Sequence, residues 1–185
     1  DADRCAVAIK DNGKWRMLTG DEVGAILGEY IASTGAKGTF ANSIVSSSLL
    51  SKIALSYSLN FKETLTGFKW ISKTNKLIFG YEEALGYCVD PGVVNDKDGI
   101  SAAVIITQLA GELHKNKTSL CDYLDSIYEE FGFHKTEQIS LRFDKLTQID
   151  GLLSRVVTNP PADLCGNRLL IAEDLSKSKS FPTPG

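Results

Sequence analysis

Apolar residues fall in short blocks along most of this chain, separated by polar turns that carry glycine. Cys5-Ala6-Val7-Ala8-Ile9 is apolar at every position, which predicts a strand covered on both faces. Asp11-Asn12-Gly13-Lys14 predicts a turn, with Trp15 to Leu18 returning as the second strand of a hairpin. Asp21 reads as the N-cap of a helix over 22–33, with Val23, Ile26, Leu27, Tyr30 and Ile31 on one side. After Gly35-Ala36-Lys37-Gly38, strands are expected over 39–45, 60–64 and 77–80. Between them, Ser46-Ser47-Ser48 should cap a helix carrying Leu49, Leu50, Ile53, Ala54 and Tyr57, and 67–71 should make one or two helical turns. A helix over 100–114 is apolar almost all round at its start and is expected to be largely buried. Ser119 and Asp122 form a capping-box pattern for a helix to Phe131. Strand and helix signals thus alternate from Thr39 to Phe131, the mark of an α/β domain with a parallel or mixed sheet.

The pattern changes after Phe131. A loose alternation from His134 to Phe143 predicts an extended strand, Asp144 a cap for a helix to Val157, and Asn159-Pro160-Pro161 its end. One more strand is expected over 169–172, and 176–185 should be loose. This reads as the first elements of a further domain. The expected division is 1–36, 37–135 and 136–185.

Composition narrows the function classes. With 185 residues and 43% hydrophobic positions, the chain is large enough for a real core. A net charge of −3, with cations spread along the chain, argues against nucleic acid as a partner. No apolar run approaches the ~20 residues of a membrane helix, so no membrane is expected either. Cys5, Cys88, Cys121 and Cys165 are far apart, which excludes zinc-ribbon and redox-pair spacings and predicts four reduced thiols in a cytoplasmic protein. The chain starts without Met inside an acidic motif, so its natural N-terminus is expected upstream.

Several segments carry candidate chemistry. In Asp1-Ala2-Asp3-Arg4, Asp1 and Asp3 are hard oxygen ligands suited to Mg²⁺, and Arg4 could meet a phosphate beside the ion. The alternative is a solvated acidic terminus. Glu82 and Glu83 could accept hydrogen bonds from sugar hydroxyls, or form a solvated acidic turn. Adjacent side chains diverge, so one should face a site and the other serve structure. Lys69, between Phe68 and Trp70, could hold a phosphate or a hydroxyl, or simply snorkel. Asp96-Lys97-Asp98-Gly99 fails as a calcium loop, because Val94 and Ile105 stand at ligand positions. It reads as a helix start at which Lys97 can still face the site. His114 and His134 are isolated and read as surface or boundary positions. No Ser lies in a clear nucleophile context.

Four of these segments, Asp1 to Arg4, Thr64 to Ile71, Phe79 to Tyr87 and Asp96 to Gly99, occur in the order and rough spacing of the α-D-phosphohexomutases. The chain most resembles the bacterial phosphoglucomutase/phosphomannomutase branch. That resemblance implies a four-domain enzyme interconverting hexose 1-phosphate and hexose 6-phosphate through an enzyme phosphoserine and a bisphosphate intermediate. It implies that this chain holds the end of domain two, a mixed α/β/α sheet domain three, and the start of domain four. Asp1, Asp3 and Arg4 would match the end of a D-x-D-x-D-R magnesium loop. Glu82 would match the Glu of a G-E-x-S sugar loop, with Ala84 in place of Ser and Tyr81 in place of Gly. Lys69 would match a substrate-reaching lysine of the same domain. The phosphoserine and phosphate-clamp loops would lie in the remaining domains of the same polypeptide. Rival readings are a non-catalytic sugar-phosphate-binding module and a different Mg²⁺ phosphotransferase.

Overall fold

The structure is a computed structural model and describes residues 1–138, 142–174 and 179–181. The chain forms two compact units, Asp1–Glu137 and Gln138–Gly185. In the first unit, β1 (Ala8–Asp11) and β2 (Lys14–Met17) pair antiparallel. Asn12 and Gly13 take φ of 48° and 80°, the two left-handed positions of a tight hairpin turn. α1 (Gly20–Ser33) follows, then β3 (Thr39–Ser43), α2 (Leu49–Ser56), β4 (Asn60–Thr64), α3 (Phe68–Ile71), β5 (Leu77–Glu82), β6 (Gly86–Cys88), α4 (Gly99–Lys115) and α5 (Leu120–Phe131).

The main sheet has the order β4-β3-β5-β6, with β3 parallel to β4 and β5, and β6 antiparallel to β5. From β3 the chain crosses to β4 through α2, then returns past β3 to β5 through α3. Right-handed crossovers in opposite directions put α2 and α3 on opposite faces. The burial pattern agrees: Phe40 joins the large core with Phe79, Tyr81 and Tyr87, while its neighbour Ala41 joins Phe68, Ile71 and Cys88. α1 packs on α2, α5 and β5. The sheet is mixed and covered by helices, as the alternating pattern predicted.

Several expectations fail locally. The first strand starts at Ala8 rather than Cys5, and the run alternates: Cys5, Val7 and Ile9 are buried while Ala6 and Ala8 are exposed. The small alanines hid the period of two, since exposing a methyl group costs little. Asp21 is not the N-cap of α1. Thr19 is, in a capping box with Glu22. Of the three serines before α2, Ser48 takes the N-cap position without capping the helix through its side chain, and Ser47 Oγ accepts the Leu49 amide. The start of α4 is not buried all round, for Ile100 and Val104 are 65% and 61% exposed. Only one stripe, with Ala102, Ile106 and Leu109, reaches the core. β6 was not expected, because three residues are too short a run to show a period. The expected boundary at 36/37 falls inside the first unit, with α1 packed into its core.

The second unit contains α6 (Leu146–Thr158) and two antiparallel pairs, β7 (Asp163–Leu164) with β8 (Asn167–Arg168) and β9 (Ala172–Asp174) with β10 (Lys179–Phe181). Lys145, not Asp144, precedes α6 as N-cap. The extended strand expected over 134–143 does not form among the described residues, and 139–141 lie outside them. Residues 134–137 instead belong to the first unit, in which Ser48 meets His134 and Asp21 accepts from Thr136. The last expected strand begins at Ala172 rather than Leu169. Most of the segment expected to be loose, 176–185, is also outside the described residues, apart from β10.

Candidate functional site

Parallel α/β sheets present their ligand-binding loops beyond the carboxyl ends of the strands. Here those ends carry Ser43 of β3, Thr64 of β4 and Glu82 of β5. Glu82 is therefore the last strand residue, not part of the following turn as the sequence suggested. Its Oε1 accepts the Gly67 amide at 2.6 Å. Gly67 precedes α3 with a φ of 113°, a backbone conformation open to glycine and strained for other residues.

The turn between β5 and β6 is held on both sides. Glu83 Oε2 accepts hydrogen bonds from Ser43 Oγ at 3.0 Å and Ser46 Oγ at 3.2 Å. Arg4 Nη1 donates to the Ala84 carbonyl at 2.6 Å, and the Cys5 amide donates to the Leu85 carbonyl at 3.1 Å. The acidic N-terminal segment thus lies directly against this turn.

Lys97 joins these parts. Its stem crosses β6 at Gly86, where a Cβ would lie 2.4 Å from Lys97 Cδ. Its ammonium is 3.6 Å from Asp3 Oδ2, 3.1 Å from Asp96 Oδ1 and 5.2 Å from the centre of the Phe68 ring. The Gly99 amide donates to the Ala2 carbonyl at 3.0 Å, and a Cβ at Gly99 would lie 2.3 Å from the Arg4 carbonyl oxygen. Hydrogen bonds from the Lys97 amide, then its ammonium, hold the Asp96 carboxyl below the usual range. Hydrogen bonding from Ser101 does the same for Asp98, whose side chain caps α4 by accepting the Ile100 amide. Lys69 and Lys73 both stand over the Trp70 ring, at 5.4 and 5.2 Å from its centre.

The structure therefore gathers Asp3, Arg4, Glu82 and Lys97 with the backbone of Gly67 at one sheet edge. Lys69 stands on the adjoining α3. Asp1 lies on the exposed lip of the same segment. Asp1 and Asp3 offer the hard carboxylate oxygens that Mg²⁺ takes, so their chemistry fits part of a magnesium shell. Among the described residues, no group of three or more His, Cys, Asp or Glu side chains gathers around a metal position. His114 is in the last turn of α4, and His134 Nδ1 meets Ser48 Oγ, in the loop after β3, at 3.0 Å. All four cysteines are free, and burial pushes the Cys88 thiol up to about 12. Sequence reasoning missed Ser43 and missed the part Ser46 plays, assigning the serine run to capping alone. A serine at the carboxyl end of a buried strand was the available signal.

Residues 19–131 match the family description phosphoglucomutase/phosphomannomutase, α/β/α domain III. The chain is 49% identical over 169 residues to the Haemophilus influenzae protein named Probable phosphomannomutase, covering 90% of this chain and 35% of that protein. It is 41% identical over 180 residues to the Homo sapiens Phosphopentomutase, covering 82% and 29%. The crystal structure of the Paramecium phosphoprotein pp63/parafusin, a phosphoglucomutase in its open form, superposes with a TM-score of 0.59. That match covers 98% of this chain and 33% of the other at 21% identity, a likeness of fold. The chain spans about a third of the length of these curated relatives. Residues 19–36, expected in a preceding domain, lie inside the matched stretch.

Proposed function

Since this chain belongs to the phosphoglucomutase/phosphomannomutase family, we propose that the full-length protein is a phosphosugar mutase acting on hexose 1- and 6-phosphates. In this reading, the present chain supplies the sugar-recognition edge and part of the metal shell. The observation that carries it is the meeting of four separate segments at one edge, through Arg4 on Ala84, Asp3 on Lys97 and Glu82 on Gly67.

Glu82 accepts hydrogen bonds from vicinal sugar hydroxyls, since a carboxylate has about four lone-pair sites and Gly67 takes one. Lys69, Lys97 and the remaining donors of Arg4 meet phosphate oxygens. Glu83, bound to two serines, supports the turn. Asp1 and Asp3 would hold magnesium, which when bound neutralises charge on a transferring phosphoryl group. The phosphoserine lies on another domain of the polypeptide. It gives its phosphoryl group to the sugar phosphate, and the resulting bisphosphate turns round and returns its other phosphoryl group to the serine. A sugar edge of this kind must hold the ring in both orientations, which suits a carboxylate reading hydroxyls rather than one fixed phosphate.

Residues 138–185 begin the following domain in this reading, and the four free thiols suit a reducing cytoplasm. A pentose phosphate is a second reading, favoured by the identity to a phosphopentomutase. A coupled assay of the full-length protein with glucose 1-phosphate, mannose 1-phosphate and ribose 1-phosphate separates the two. We expect turnover with the hexose phosphates that chelator abolishes and Mg²⁺ restores. Faster turnover with the pentose phosphate moves the substrate to the second reading. Binding of a sugar phosphate without turnover makes the protein a binding module.

A further inference from the structure

The β5–β6 turn faces two ways. Glu82, the last residue of β5, sends its carboxylate to Gly67, while Glu83, the first residue of the turn, sends its own to the loop after β3. Around Glu83 the contacts are close and reciprocal. Ser43 Oγ and Ser46 Oγ are 2.7 Å apart, both lie within hydrogen-bond reach of Glu83 Oε2, and the Glu83 amide donates to Ser46 Oγ at 3.2 Å. The Ser46 amide in turn donates to the Ser43 carbonyl at 2.9 Å, which closes the loop on itself. From the other side, α1 presses on the same residue: a Cβ at Gly20 would lie 1.8 Å from the Glu83 carbonyl oxygen. Ser43 is fully buried at the end of β3, so this anchor is part of the sheet and not of a surface loop.

We infer that Glu83, Ser43 and Ser46 form a clamp that positions Glu82 for the sugar. This deepens the mutase reading and rests on it for the identity of the ligand. The physical need is tolerance. A group that must meet hydroxyls in two sugar orientations has to be held to a fraction of an ångström. A carboxylate that accepts from two hydroxyls and is backed by a strand end supplies such a hold. Glu83 is thus a positioning residue, and the two serines act through it.

The test uses the full-length protein and compares Glu83→Ala, Glu83→Gln, the Ser43→Ala/Ser46→Ala pair and the triple variant, each checked for folding by circular dichroism. Two readouts are taken: kcat/KM with the hexose 1-phosphate, and hydrogen exchange of the Gly67 amide that Glu82 holds. We expect Glu83→Ala and the serine pair each to lower kcat/KM about 10-fold and to speed Gly67 exchange. We expect the triple variant to be no worse than Glu83→Ala, because members of one unit do not add. Glu83→Gln, which keeps an acceptor, should recover most of both. Additive losses overturn the clamp. So does a Glu83→Ala variant that binds sugar poorly with Gly67 exchange unchanged, since that marks Glu83 as a direct ligand. Inactive wild-type protein with Gly67 exchange still governed by Glu83 sinks the mutase reading and leaves the clamp standing.

Discussion

Glu82 accepts the Gly67 amide through one oxygen, and under the proposed function a sugar would bond to the remaining lone pairs. A charge-assisted hydrogen bond contributes about 1.5–3 kcal/mol. Glu82→Gln keeps the size and one acceptor but loses the charge. We expect kcat/KM to fall ~10–100-fold, read by steady-state kinetics on a protein with unchanged circular dichroism. Under the proposed mutase function the loss should fall on both kcat and KM, because each half-reaction of that proposal needs the sugar held. At this scale the sequence was informative wherever a residue stood in a short, unusual string. Arg4, Glu82 and Lys97 were singled out that way, and the segments that carry them are joined through Arg4 on Ala84 and Lys97 on Asp3. Ser43, Ser46 and Asp21 were not assigned their contacts, because their partners lie 40, 37 and 60 positions away, where no local pattern reaches.

Elements, rather than single side chains, decide where the turn sits. α1 begins against it, and Gly20 is required there because a methyl group would enter the Glu83 backbone. Gly20→Ala should lower stability by about 1–3 kcal/mol through forced displacement of packed backbone. Gly111→Ala, in α4 with nothing within 4 Å, should raise it by about 0.5–1 kcal/mol through helix propensity. Denaturant midpoints of the two variants should therefore move in opposite directions from wild type, and a Gly20→Ala midpoint at the wild-type value would show that α1 does not press on the turn. Some elements were legible: β4 spans 60–64 and α5 ends at Phe131, as the pattern predicted. Those that failed lacked a repeat or depended on tertiary cover. β6 is three residues long, and the apolar start of α4 gave no sign of which side would be covered.

Across the whole molecule, all six tyrosine phenols are pushed above their ordinary value. Hydrogen bonding to the Glu29 carboxylate, then burial, raises Tyr57 to about 12, and burial, then the Glu22 charge, raises Tyr128 to about 12. A phenol whose folded value exceeds the unfolded 10.0 stabilises the fold fully below that pH. The contribution is lost as pH rises from 10.0 to about 12. We expect the ultraviolet tyrosinate band to grow together with loss of circular dichroism in that window. Complete ionisation near pH 10.0 with secondary structure intact would contradict the packing described. One buried group also bears on how the chain acquires its shape. Asp21 accepts from the Ser47 amide, the Tyr81 hydroxyl and the Thr136 hydroxyl, which lie 26, 60 and 115 positions further along. Its charge enters the interior early in the sequence, yet its last donor is made late. A nascent chain shorter than residue 136 carries this carboxylate short of one partner, so the first unit reaches its full set of bonds only after nearly all of it has left the ribosome.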